Sequence, residues 1–173
     1  SGLSSARVVY EAPVEGNVPR FLAIYVADDQ VKEVGPVRSV RPYYVDWVGE
    51  YGDIMYMHVG GSEEGLARLD TANVFDINEF YRGGYFWRSD DRARPHNTYT
   101  SSRLWQKARK DYGEYHEDET YDGWLFDERE PCGSSSDANE KCVSEITASF
   151  LSPTYDATWV YSTSTRQYSR YQK

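Results

Sequence analysis

An α/β or α+β domain with a mixed β-sheet and flanking helices, followed by a short β-rich C-terminal segment, is the architecture that three features of the sequence predict. Strand-like and helix-like stretches alternate between residues 31 and 77. Within that span the run Asp53 to Val59 passes through Gly60, Gly61 and Ser62 directly into a helical pattern. Near the end of the chain, three short stretches rich in β-branched and aromatic residues follow one another.

The elements follow in order. Arg7 to Tyr10 and Phe21 to Val26 read as paired strands separated by the turn residues Glu15, Gly16 and Asn17. Asp28 and Asp29 make a second turn, and Val31 to Val37 reads as a third strand ending at Gly35 and Pro36. Ser39 is the expected N-cap of the next helix, with Pro42 in its first turn. Tyr43, Trp47, Val48 and Tyr51 then give an apolar helical stripe, and Gly52 ends it. The strand Asp53 to Val59, a helix from Glu63 to Leu69 and a short strand Asn73 to Ile77 complete the alternation. Phe80 to Trp87 is aromatic and punctuated by glycine, Arg92 to Thr100 is a polar loop, and Ser102 to Lys110 is an amphipathic helix. Strands are expected again at Ile146 to Phe150, Ala157 to Tyr161 and Gln167 to Tyr171. These boundaries divide the chain into a main mixed-sheet domain (1–110), an acidic, cysteine-bearing insertion or linker (111–145) and a β-rich segment (146–173) that begins a smaller C-terminal domain.

With 173 residues, 39% of them hydrophobic and 27% charged, the chain is long enough to bury a core without staples. It contains no apolar run near the ~20 residues of a membrane span and no signal-peptide pattern. The net charge of −9 is concentrated. Residues 111–130 hold nine acids against Arg129 alone, which reads as a solvated insertion; the alternating acidic spacing of a calcium loop is missing. His116 lies in this run and is expected to be solvated. An acidic balance disfavours nucleic acid as a partner, because phosphate neutralisation needs a basic face. Cys132 and Cys142 flank Gly133, Ser134, Ser135 and Ser136, a setting that favours a disulfide and hence an oxidising compartment; two unpaired thiols are the alternative.

The polar residues that can carry chemistry fall in three loops. Arg38, Ser39 and Arg41 lie in Gly35 to Pro42, where two guanidinium forks and free helix N–H groups can converge on an anion, a phosphate or a carboxylate. His58, Gly60, Gly61 and Ser62 end the next strand. If the two strands are parallel, both loops open on one edge of the sheet, where α/β folds bind ligands. The third loop contributes His96 and Asn97, with Asp76, Glu79, Arg88, Asp90 and Asp91 upstream as partners. The structural alternative pairs Arg38 and Arg41 with Asp46, Glu50 or Glu11. A metal site from His58, His96 and Asp76 has no supporting spacing, no nucleophile motif is present, and no motif calls for a cofactor. Tyr, Trp and Phe gather at 43–57, 80–87 and 155–171, where flat faces suit core packing or stacking on sugar rings and partner side chains.

Several of these stretches together resemble the YerB-like bacterial lipoprotein family, whose function is not established. They are Ser1 to Arg7, Val9 to Arg20, Phe21 to Tyr25, Gly35 to Pro42, His58 to Ser62 and Pro95 to Thr100, about 100 residues in order. The tail Ile146 to Tyr171, with Trp159, Tyr161 and Tyr168, is similar to the start of that family's smaller C-terminal domain. The resemblance implies an extracytoplasmic protein held to the bacterial membrane by a lipid anchor that lies, with a preceding strand, upstream of Ser1. The cysteine-bearing insertion is outside the family's pattern.

The expected function is binding of an anionic or glycan cell-wall ligand, such as a polyprenyl-linked anion, with Arg38 and Arg41 as charge clamps, Gly60 and Gly61 as N–H donors, and Ser62, His58, His96 and Asn97 as polar contacts. One alternative is an envelope hydrolase or phosphotransferase with His58 or His96 as general base, oriented by Glu11, Asp76 or Glu79. Another is a protein-interaction module that regulates cell-wall enzymes.

Overall fold

A computed structural model gives the fold. It describes residues 1–52, 54–112, 124, 142–150 and 152–172. They divide into two compact units, one of residues 1–9 with 22–122, the other of residues 10–21 with 123–173. The mixture of helices with small parallel and antiparallel sheets is an α+β fold, as expected. Most of the acidic run, with His116 and Cys132, lies outside the described residues, and so does the expected Cys132–Cys142 bond.

Strands β1 (Val8–Pro13) and β2 (Pro19–Ile24) form a two-stranded sheet. Their turn places Gly16 at φ 71° and Asn17 at φ 57°, the left-handed region that these two residue types tolerate. Residues 31–37 were expected as a regular strand, but they pair only at isolated points. Pro36 has no N–H to give to a ladder, yet Val34 N donates to Thr100 O (2.8 Å) and Val37 N to Thr98 O (2.7 Å).

Helix α1 (Pro42–Val48) starts with proline at the position where its missing N–H costs nothing. Its N-cap is Arg41, not Ser39, so the expected cap is corrected by two residues. Gly52, at φ 68°, ends the short turn after α1.

Strand β3 (Ile54–His58), helix α2 (Glu63–Thr71) and strand β4 (Val74–Asn78) make a compact parallel β-α-β unit. In its register Tyr56 lies opposite Asp76 and His58 opposite Asn78. Ser62 caps α2, its Oγ accepting from Gly65 N at 3.1 Å.

Past β4 come α3 (Glu79–Arg82), the antiparallel pair β5 (Trp87–Arg88) and β6 (Thr98–Tyr99), and α4 (Ser102–Tyr112). Strand alternation sorts β3 and β4 into two faces. Met55, Met57, Phe75 and Ile77 gather with Val37, Tyr85, Phe86 and Ala108 in one core. Tyr56, His58, Asp76 and Asn78 belong to the opposite face. Trp105 of α4 holds the 25–31 segment, its ring tilted against Tyr25 with centroids 5.3 Å apart and its Nε1 donating to Ala27 O at 2.8 Å.

In the second unit, β7 (Glu145–Ala148), β8 (Ala157–Ser162) and β9 (Gln167–Gln172) form an antiparallel meander. Arg170 makes a two-pronged ion pair with Glu11 (2.5 and 2.9 Å) and lies over the Phe21 ring at 5.5 Å. Glu11 is therefore committed to this pair. It is removed from the groups expected to orient a catalytic histidine.

Candidate anion site at the strand-end edge

The loops expected to face each other do meet. Val40 pairs with Gly61 in parallel sense, Val40 N donates to Gly60 O (3.0 Å), and Val59 N donates to Arg38 O (3.2 Å). Residues 38–40 thus extend the β3 side of the sheet, and Arg38 and Arg41 flank the same edge as Gly60 and Gly61. Gly61 has no room for a side chain, because an added Cβ would stand 2.5 Å from Val40 Cγ1. The loop 94–97 joins this edge through Arg38, whose Nη1 donates to Pro95 O. His96, the neighbour of Pro95, is exposed.

At the centre of the edge is a closed polar cluster. His58 is 1% exposed. Its Nδ1 lies 2.8 Å from Gly60 O and its Nε2 lies 2.5 Å from Asp76 Oδ1. Both partners are acceptors, and the ring nitrogen that carries a proton donates to the one it faces. Tyr56 stacks on the imidazole at 5.6 Å. The amide oxygen of Asn78, also buried, accepts from Gly60 N (3.0 Å) and Phe80 N (3.2 Å).

This geometry revises several expected roles. The N–H of Gly60 is taken by Asn78, so it is not a ligand donor. Both ring nitrogens of His58 face protein oxygens and the side chain is buried, so neither nitrogen is placed to take a proton from a ligand. Of its three expected orienting acids only Asp76 reaches it, because Glu79 pairs with Arg88 at 3.0 Å. Asn97 is buried and held between Arg88 (3.0 Å) and Ser89 O (3.0 Å). Ser62 is a helix cap. Asn78 and Phe80 were not singled out in the sequence; the Asn at the end of a strand followed by a short aromatic helix was the signal available.

Arg38 and Arg41 differ from the rest. Asp46 pairs with Arg68 (2.8 Å) and Glu11 with Arg170, so two of the three acids expected to neutralise them are engaged elsewhere. Among the described residues Arg38 has no carboxylate partner and only the carbonyl of Pro95. Burial lowers its guanidinium from the ordinary range, and the Arg41 charge lowers it further. The folded state therefore holds Arg38 in an environment that penalises its charge.

The chain is thus an α+β domain with a cationic strand-end edge. It belongs to the family "Protein of unknown function (DUF3048) N-terminal domain", which matches residues 1–115. Over 115 residues it is 40% identical to a protein of Bacillus subtilis (strain 168) named "Putative lipoprotein YerB", covering 65% of this chain and 34% of that protein. The chain spans about a third of that relative's length. The crystal structure of YerB protein from Bacillus subtilis matches with a TM-score of 0.77 at 29% identity, covering 100% of this chain and 56% of that one. The expected YerB-like kinship is borne out. Among the described residues no helix is long and apolar enough to cross a membrane.

Proposed function

We infer that this domain works outside the cytoplasm, anchored to the bacterial membrane by lipid, and binds an anionic cell-wall ligand at the edge formed by Arg38 and Arg41. One observation carries the site: the Arg41 charge acts on the Arg38 guanidinium at a strand end, and among the described residues Arg38 has no carboxylate partner. A phosphate or carboxylate there removes the repulsion and offers forked acceptors. The N-terminus of α2 is a poorer seat for the anion, because Glu63 and Glu64 already occupy its first turn. The lipoprotein name of the relative supports the location, and a Cys132–Cys142 disulfide fits the same compartment.

Binding of the purified chain to isolated cell-wall sacculi and to polyprenyl pyrophosphate micelles tests this reading. The native chain is expected to bind with an affinity that weakens as salt rises from about 0.05 to 0.5 M, and Arg38→Ala/Arg41→Ala to lose at least about tenfold. Equal binding by native and double variant overturns the clamp.

A further inference from the structure

The edge that carries the arginines also carries an aromatic ring set outward. Phe80 is 65% exposed and its neighbour Tyr81 is 85% exposed, although large apolar side chains are ordinarily drawn inward. The position of Phe80 is built, not incidental. Asn78 Oδ1 accepts from both Gly60 N and Phe80 N, tying the start of α3 to the end of β3. Gly60 holds φ 57°, and an added Cβ there would come within 2.6 Å of Phe80 Cε2 and 3.1 Å of Cζ. The ring is thus seated by one edge on a residue without a side chain, while much of its surface stays in water.

The same Gly60 links this ring to the cationic residues. Gly60 O accepts from Val40 N, and Val40 lies between Arg38 and Arg41 in the chain. An open aromatic surface and two guanidiniums therefore belong to one hydrogen-bonded stretch of backbone. Of the acids nearest the ring in sequence, Glu79 is paired with Arg88 and Asp76 lies 2.5 Å from His58 Nε2. We propose that Phe80 is a stacking platform for a sugar ring whose negatively charged substituent is held by Arg38 and Arg41, so that the ligand class is a phosphorylated or carboxylated carbohydrate. The chemistry is complementary at both ends. The C–H face of a pyranose suits the electron-rich face of an aromatic ring, and the charged substituent suits forked donors. This inference rests on the anion reading above and narrows it to a substrate class.

Titration calorimetry with three probes separates the two. The probes are inorganic phosphate, a hexose 1-phosphate and a neutral N-acetylhexosamine oligomer, each applied to the native chain, Phe80→Ala, Phe80→Leu and Arg38→Ala/Arg41→Ala. The native chain is expected to bind the sugar phosphate about 3- to 10-fold more tightly than phosphate. Both Phe80 variants are expected to lose that increment while keeping the phosphate affinity, and Leu serves as the variant that keeps apolar bulk without a π face. If phosphate binds and the sugar adds nothing, or if the increment survives in both Phe80 variants, the platform is overturned and the anion clamp stands. If neither anion binds, both readings fall together, and uptake of only the neutral oligomer overturns the charged-sugar class.

Discussion

Two polar groups sit at the same strand end and have opposite electrostatic characters. Around His58 the polar groups partner one another: Gly60 O and Asp76 face the two imidazole nitrogens, and Asn78 takes two backbone N–H groups. Around Arg38 the neighbours are a carbonyl and a second cation. Buried polar networks that are complete rigidify a fold, whereas an uncompensated charge costs stability until something of opposite sign arrives. Histidine is the residue that attracts catalytic expectations in a sequence, but here the histidine is architecture, and Arg38 is the group without a carboxylate partner among the described residues.

The comparison breaks first if the His58 cluster proves dispensable. His58→Ala removes the stack on Tyr56 and leaves a cavity beside Gly60 O, while Asp76 keeps its access to water. An unfolding free energy lower by about 3 kcal/mol is expected from urea titration. Asn78→Ala strips two N–H groups of their acceptor and is expected to cost about 2 kcal/mol. Losses below about 0.5 kcal/mol in both would mean that the cluster holds nothing together. The clamp variant Arg38→Ala/Arg41→Ala is expected to behave in the opposite way, with ligand affinity down at least about tenfold and unfolding within about 0.5 kcal/mol of native.

The contrast between the two groups also explains what the sequence made legible. The β3-α2-β4 unit was readable because strand run, glycine turn, Ser62 cap and second strand are local signals, and its edges moved by only a residue or two. The meeting of Gly35 to Pro42 with His58 to Ser62 was expected from two parallel strands, but it comes through the isolated parallel bridge of Val40 with Gly61. What lay beyond reach was occupancy. Nothing in the spacing of Glu11 announces Arg170, which is 159 residues away. Nor does a strand-terminal Asn78 announce that it consumes the N–H of Gly60. Residues 31–37 misled for a related reason: their composition is that of a strand, but Pro36 denies the ladder a donor, so only scattered bonds form.

An alkaline titration sharpens the contrast using a third group. Burial pushes the Tyr25 phenol up to about 12, from an ordinary 10.0. A phenol whose folded value is raised keeps its proton longer in the native state than in the unfolded one. Its contribution is complete below about pH 10 and lost as pH rises toward 12. Thermal unfolding should therefore fall across that window, and Tyr25→Phe should flatten the fall while leaving the neutral-pH midpoint nearly unchanged. An identical slope in native and variant would remove Tyr25 from the account.

The smallest effect is the most diagnostic of the cationic edge. Because folding lowers the guanidinium of Arg38, the charged form is penalised in the native state at every pH below its folded value, neutral pH included. Arg38 is only partly buried, so solvent screens much of that penalty. Arg38→Met keeps the length of the stem and removes the charge, and is expected to raise the unfolding midpoint slightly, by no more than a few degrees. Linkage supplies the second half of the test. An anion that binds the native clamp raises the midpoint of the native chain as its concentration rises, through preferential binding to the folded state. In Arg38→Met that dependence on added phosphate should shrink, although the starting midpoint is higher. A variant that is less stable than native, with an unchanged response to phosphate, would show that Arg38 serves the fold through Pro95 and leaves the anion to other groups.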